Sequence, residues 1–347
     1  MRSAATSRAV ARHAASRALF GTIVALGVLV SSSALGFDLQ GHRGARALAP
    51  ENTLPGFARA LGVGVSTLEL DVGMTRDGVV VVAHDRRLNP DIARGADGRW
   101  LRPPTPAIHD LTFRELQRYD VGRIRPGSEY SNRFRDQKRM DGVRIPMLDS
   151  VFDLARHAGN DNVRFNIEIK VSPEAPQETA SVEDLTRALV KVIRDNGVEK
   201  RATIQSFDWR VQAIVRNEAP EIAVSYLTSQ QQWGDNVMAG HANDSPWTAG
   251  IQWRDHRSVP KMVAAAAGAP VRGVTWSPYF GEINEAQVRE AKELGLTVLP
   301  WTVNERADMA RLMDWGVDGI ITDHPDRLRE VMQARGLPLP APTPVTP

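Results

Sequence analysis

A chain of 347 residues, 42% hydrophobic and 24% charged, has the composition of a soluble globular protein and the length for one large domain or two small ones. It contains no cysteine, which excludes disulfides, zinc–thiolate sites and thiol nucleophiles. The 43 basic and 41 acidic residues give a formal charge of +2; four arginines and no acid lie in positions 1–36, so the rest of the chain stands at −2 and makes no electrostatic case for nucleic acid or an anionic membrane.

Arg2, Arg8, Arg12 and Arg17 precede an apolar run from Ala18 to Val30, and small residues dominate Ser31–Gly36. This pattern predicts a secretory signal peptide over 1–36, cleaved after Ala34 or Gly36, and a periplasmic or secreted mature protein. The apolar run is short for a bilayer span. An uncleaved anchor is the alternative; a lipid anchor is excluded because no cysteine exists to carry it. The sequence predicts no stable membrane anchor and carries no signal for oligomeric state.

The stretch from Gly41 to Asp85 concentrates the chemistry. Phe37–Gln40 reads as a short strand leading into His42 and Arg43. Thr53–Leu61 reads as a helix entered from Pro50-Glu51-Asn52. Val65–Val72 alternates, with Leu68 and Leu70 on one side and Glu69 and Asp71 on the other. Arg76-Asp77-Gly78 is a turn, and Val79–Val82 returns antiparallel toward His84. Two carboxylates pointing the same way repel each other unless a cation sits between them. Oxygen ligands without cysteine suit a hard divalent ion, Ca²⁺ or Mg²⁺. Two histidines beside such an ion are the parts needed to move protons around a phosphate ester.

From Arg86 to Asp149 the periodicity loosens. Thr112–Arg118 is one short helix with Glu115 placed for a capping box. This segment carries fourteen Lys/Arg against nine Asp/Glu, and its length makes it a functional insertion rather than an idle connection. It leaves the chain after His84 and is expected to lie over the mouth of the site and narrow it. Alternation then resumes. Helices are predicted at 149–157, 182–196, 209–217, 259–267, 284–294, 305–315 and 325–335. Strands are predicted at 163–169, 202–207, 222–227, 273–277, 297–301 and 319–322, and 234–253 reads as a loop. Residues 336–347 form a proline-rich tail read as disordered.

With the Val79–Val82 return strand set aside, eight strands interleave with helices. This predicts a (β/α)₈ TIM barrel over 37–335, with a β-hairpin and the 86–149 insertion after its second strand. A doubly wound open sheet is the alternative, but no Gly-x-Gly-x-x-Gly follows the first strand. Barrel active sites lie at the C-terminal strand ends, and polar or aromatic residues fall there. They are His42, Glu69 and Asp71, Glu168 and Lys170, Gln205 and Ser206, Trp276, Trp301 and Asn304, and Thr322 and Asp323. Gln205, Ser206 and Asp323 read as rim groups. Trp301 reads as a ligand-facing wall.

His42-Arg43-Gly44, Pro50-Glu51-Asn52-Thr53, Glu69-Leu70-Asp71-Val72, Thr75-Arg76-Asp77-Gly78 and His84-Asp85 resemble the signature of the glycerophosphodiester phosphodiesterases. Asn166–Lys170, Gln205-Ser206-Phe207, Pro300–Asn304 and Gly319–Asp323 continue the resemblance, which runs from about Gly41 to about Leu328. It implies metal-dependent cleavage of glycerophosphodiesters, such as glycerophosphocholine or glycerophosphoethanolamine, to sn-glycerol 3-phosphate and an alcohol. It further implies one divalent cation on Glu69, Asp71 and Glu168. Phosphate would be bound by Arg43 and Lys170, with Trp301 beside the substrate. Acid–base work would be shared by His42 and His84. In related enzymes the glycerol 2-hydroxyl attacks phosphorus first, giving a cyclic phosphate that water opens. A lysophospholipid or phosphoinositide phosphodiesterase, or a non-catalytic binding barrel, are the rival readings.

Overall fold

The computed structural model describes residues 36–347, apart from 270 and 272. Residues 1–35 of the predicted leader lie outside the described residues. Eight parallel strands carry the fold: β1 (Asp38–Gly41), β2 (Thr67–Met74), β4 (Arg164–Ile169), β5 (Ala202–Ser206), β6 (Ala223–Thr228), β9 (Val274–Pro278), β10 (Thr297–Val298) and β11 (Gly319–Thr322). Their order around the sheet is β10-β9-β6-β5-β4-β2-β1-β11. β3 (Val80–Val82) pairs antiparallel with β2, as the Asp77-Gly78 turn predicts.

β10 is shorter than the predicted 297–301. Pro300 has no N–H and cannot donate to a ladder. The seam between β10 and β11 is instead held by single bonds. Asp318 N–H donates to the Val298 carbonyl (3.0 Å) and Ile321 N–H to the Pro300 carbonyl (3.0 Å). The barrel is nearly closed.

Each strand feeds a helix: α1 (Leu54–Val63), α4 (Leu148–His157), α5 (Val182–Asp195), α6 (Arg210–Glu218), α8 (Val259–Ala267), α9 (Glu285–Glu293), α10 (Arg306–Asp314) and α11 (Pro325–Ala334). α1 shows why the boundaries fall where they do. Thr53 caps its start by accepting from Gly56 N–H, and Gly64, at φ +88°, ends it in the left-handed conformation glycine supplies at low cost. The amphipathic helices lay Leu, Val and Phe on the outer faces of the strands; Phe152 of α4 meets Phe165 of β4 edge-on at 4.7 Å.

Two segments depart from the sequence reading. The segment read as a 234–253 loop opens with the second strand of a two-stranded hairpin, β7 (Gln230–Gln231) and β8 (Gly234–Asp235), and ends in the first residue of a single helical turn, α7 (Trp253–His256). Residues 336–347 are packed rather than disordered. Leu337, Leu339 and Val345 rest against the main core, Thr343 N–H donates to the Leu61 carbonyl (2.9 Å), and Arg329 donates to the Pro340 carbonyl (2.7 Å). Three aliphatic side chains spaced among the prolines give that segment apolar area to bury, which its composition concealed.

The insertion contains α2 (Phe113–Leu116), with the predicted Thr112–Glu115 capping box, and α3 (Glu129–Arg133), which the sequence reading missed. It has its own apolar cluster: Leu88, Ala93, Ile108, Leu116, Val121, Val143 and Ile145 close around Val81 of β3. Among the described residues no helix is long and apolar enough to cross a membrane.

Candidate active site

The parallel register sets Asp71 of β2 directly beside Glu168 of β4. Glu69, two residues earlier on β2, points the same way. One carboxylate oxygen of each lies within 4.8 Å of the others, and all three side chains are buried. Around them stand donors. Asn52 gives its amide to Asp71 Oδ2 (2.8 Å), Gln205 to Glu69 Oε1 (2.8 Å), and Arg43 its backbone N–H to Glu69 Oε2 (2.9 Å). Lys170 Nζ pairs with Glu168 Oε1 at 2.6 Å. Asp71 Oδ1 is buried without a hydrogen-bond partner. Three oxygen donors converging on one point, one of them orphaned, fit a hard divalent cation.

The turn after β1 places His42 and Arg43. Arg43 adopts φ +50° and Gly44 φ +89°. A Cβ on Gly44 would come within 2.7 Å of the Gly56 carbonyl carbon, so the close approach of turn to helix α1 needs glycine. Arg43 Nη1 donates to Glu51 Oε1 (2.8 Å), and its Nε lies 3.3 Å from Asp71 Oδ2.

Each predicted catalytic histidine is held through Nδ1 by a carboxylate. His42 Nδ1 is 2.6 Å from Asp323 Oδ1, and His84 Nδ1 is 2.8 Å from Asp85 Oδ1. An ionised carboxylate only accepts, so each Nδ1 carries the proton and each Nε2 keeps its lone pair. His42, Arg43, Glu69, His84, Glu168, Lys170 and Trp301 line one cavity of about 600 Å³ at the C-terminal strand ends. Asp71 lies directly behind it.

A profile of the glycerophosphoryl diester phosphodiesterase family matches residues 42–327. The chain belongs to this family. A Caldanaerobacter subterraneus subsp. tengcongensis glycerophosphodiester phosphodiesterase is 28% identical over 85% of this chain and 97% of its own. A Silicibacter pomeroyi DSS-3 crystal structure bearing the family name is 35% identical, with a TM-score of 0.75 over 86% of this chain and 93% of its own. An Oleispira antarctica phosphodiesterase, solved in complex with the product sn-glycerol-3-phosphate, shares the fold at 21% identity and a TM-score of 0.60 over 85% and 96%. The chain is a phosphoric diester hydrolase with a TIM-barrel fold.

Electrostatics separate the groups in this phosphodiesterase cavity. Burial, then Arg46, pulls His42 down to about 4, against the raising pull of Asp323. Burial, then Arg43 and Lys170, lowers His84 as well. Both imidazoles are therefore neutral near pH 7 and ready to accept a proton. Without a cation, burial raises Glu69 well above the usual carboxylate range, and Asp71 adds to it. Burial, opposed by Lys170 and reinforced by Asp71, pushes Glu168 up to about 7. Asp71 moves the other way. Its burial is outweighed by His84, Arg43 and Lys170, which hold it well below the ordinary range.

All eight predicted site residues meet at this point. Trp301 forms a wall edge-on to Phe207 at 5.4 Å, with its indole N–H on the Ser277 carbonyl (2.9 Å). Of the residues read as rim groups, Gln205 and Asp323 touch the site, whereas Ser206 turns its hydroxyl to the Ile169 carbonyl. Trp276 is core, donating to Thr228 Oγ1. Arg46, Asn52, Asp85 and Tyr130 were assigned no role from sequence. Arg46 grips Asp323 through Nε (2.7 Å) and Nη2 (3.0 Å) across the seam between β1 and β11. For Asp85, adjacency to His84 was the available signal.

Proposed function

We propose that this phosphodiesterase hydrolyses glycerophosphodiesters to sn-glycerol 3-phosphate and an alcohol, with one divalent cation, Ca²⁺ or Mg²⁺, on Glu69, Asp71 and Glu168. Proton transfer falls to His42 and His84. The observation that carries this reading is the buried carboxylate triad flanked, in one cavity, by two imidazoles whose Nδ1 atoms are each held by a carboxylate. The product bound in the Oleispira antarctica relative supports the choice of product.

When bound, the cation supplies Lewis-acid stabilisation of charge on the phosphate oxygens. Arg43 adds a planar fork and Lys170 a point charge, both fixed by ion pairs and both on the cavity wall. One neutral imidazole takes the proton of the attacking hydroxyl at Nε2. The other must carry a proton taken from solvent at its Nε2, and it delivers that proton to the leaving alcohol oxygen. Trp301, Phe207 and Tyr279 bound the far side and exclude water from one face of the bound ester. A second groove of about 890 Å³ opens beside Lys170. Gln230, Gln231, Ser172 and Glu174 line it together with Phe207, Trp233 and Trp247, a mixed polar and aromatic surface with room for the alcohol moiety of the diester. In this reading residues 1–36 are a cleaved export leader and the enzyme acts outside the cytoplasm.

The test is release of sn-glycerol 3-phosphate from a panel of glycerophosphodiesters, before and after dialysis against chelator. Activity should vanish with the metal and return with Ca²⁺ or Mg²⁺. His42→Ala and His84→Ala should each lower turnover by roughly 10² or more while keeping bound metal. Full activity in metal-free enzyme would overturn the reading. The active protein recovered outside the cytoplasm should begin at Leu35 or Phe37; an intact Met1 there would overturn the export assignment.

A further inference from the structure

The insertion meets the catalytic turn through several contacts, one of them a buried polar pair. Ser128 caps α3 by accepting from Ser131 N–H, and this short helix delivers Tyr130 to Glu51. Gln137 and Lys138 stitch the same segment to the turn, donating to the carbonyls of Arg46 (2.8 Å) and Leu48 (3.0 Å). The Tyr130 ring packs edge-on to Phe134 at 5.0 Å, and the Arg46 guanidinium lies over Phe134 at 4.6 Å. The segment is therefore docked, and the direction of the phenol is set by packing as well as by hydrogen bonding.

Glu51 is 5% exposed and uses its two oxygens for different partners. Oε1 accepts from Arg43 Nη1 at 2.8 Å. Oε2 accepts from the Tyr130 hydroxyl. Arg46 Nη1 stands 3.4 Å from that hydroxyl and backs it. Arg43 Nη2 makes no hydrogen bond to a described residue, while Arg43 lines the main cavity. A free carboxylate facing a guanidinium prefers the two-point fork. With Oε2 turned to the Tyr130 hydroxyl, Glu51 holds Arg43 by one point.

We infer that Tyr130, contributed by the insertion, is a positioning residue for phosphate capture: it occupies Oε2 of Glu51 and so leaves the second edge of the Arg43 guanidinium to the diester phosphate. This rests on the reading above that Arg43 binds phosphate. Without the phenol hydroxyl, Oε2 is buried and unpartnered, and the fork on Arg43 is its nearest remedy. Glu51 then competes with the substrate for the same N–H groups. The effect falls on binding rather than on the proton-transfer steps, because neither histidine hydrogen-bonds to Glu51 or Tyr130.

The experiment compares wild type with Tyr130→Phe, Tyr130→Ala, Glu51→Gln, Glu51→Gln/Tyr130→Phe and Arg43→Ala. Affinity for sn-glycerol 3-phosphate is read by calorimetry, beside KM, kcat and Tm. Tyr130→Phe keeps the ring against Phe134 and should weaken product binding and raise KM by roughly tenfold, the scale of one charge-assisted contact, with kcat within about threefold. Tyr130→Ala should match it in binding and add a loss of Tm. The double variant should bind no worse than Glu51→Gln alone, because the competing charge is gone. A merely structural role would lower Tm in Tyr130→Ala and leave binding by Tyr130→Phe at the wild-type value; that result, or a fall confined to kcat, overturns the inference. If Arg43→Ala also leaves product binding unchanged, it is the phosphate role of Arg43 that fails.

Discussion

Nδ1 of His42 lies 2.6 Å from Asp323, a residue 281 positions away in sequence, and that carboxylate is pinned in turn by Arg46 and Asn304. His42 and Asp323 were both legible as residues at strand ends; that they touch was not, because only closure of β11 against β1 brings them together. Arg46 lay further from view. It is one more arginine in the chain until its Nε reaches Asp323. The arrangement predicts the effect of Asp323→Asn. Oδ1 serves both His42 Nδ1 and Arg46 Nε, and Oδ2 serves both Arg46 Nη2 and Asn304 Nδ2, so an amide must set its NH₂ against donors at one of the two positions; at the Oδ1 position that NH₂ faces His42 Nδ1. The imidazole proton would then move to Nε2 and remove the lone pair that accepts protons. Turnover should fall by about 10² to 10⁴, as when an orienting carboxylate is neutralised elsewhere, with cation content unchanged. Steady-state kinetics beside metal analysis would check it, and near wild-type turnover would show that Asp323 does not set the tautomer.

Strands β2 and β4 carry the triad. The alternation of Glu69 and Asp71 was plain in the sequence, and it pointed to a cation because like charges on one face repel. The pairing register, which puts Asp71 beside Glu168, was not readable, yet it decides how strong that repulsion is. In the metal-free protein Glu168 is raised to about 7. Between its ordinary value and 7 the folded state holds a proton that the unfolded chain has released, so stability from this group is present at low pH and is lost as pH rises through that window. Glu168→Gln removes the titrating group. In chelator, the variant should therefore lose less stability than wild type between pH 5 and 8. It should also forfeit the gain in Tm that Ca²⁺ or Mg²⁺ gives wild type, since binding to the folded state alone is what raises Tm. Denaturant unfolding across pH, with and without cation, separates the two effects. Equal pH slopes in wild type and variant would show that Glu168 is ionised throughout. The insertion was legible as an excursion but not as a folded one, because the residues of its cluster, from Leu88 to Ile145, follow neither a two- nor a 3.6-residue period.

The molecule as a whole was readable where strand and helix alternate regularly, and the site fell at the C-terminal strand ends as the barrel requires. The tail was misread because proline content outweighed its few aliphatic residues. It packs at the opposite end of the barrel from the site, against the last turn of α1, which leads into the start of β2. Thr343 bonds to the Leu61 carbonyl and to Asn160 Nδ2 (3.0 Å), and Arg329 of α11 ties the Pro340 carbonyl to that of Gly64. Ending the chain at Leu339 should remove these bonds and expose the surface that Val345 covers. A loss of about 1–2 kcal/mol, the worth of one or two hydrogen bonds and some apolar contact, lowers Tm by roughly 2–8 °C in a domain of this size. The cavity takes no residue from the tail, so kcat and KM should stay within twofold of wild type. Thermal unfolding of the truncated enzyme beside its kinetics decides the matter. An unchanged Tm would mean the tail contributes no net stability, and a folded variant with reduced kcat would mean that the N-terminal end of the barrel is coupled to the site.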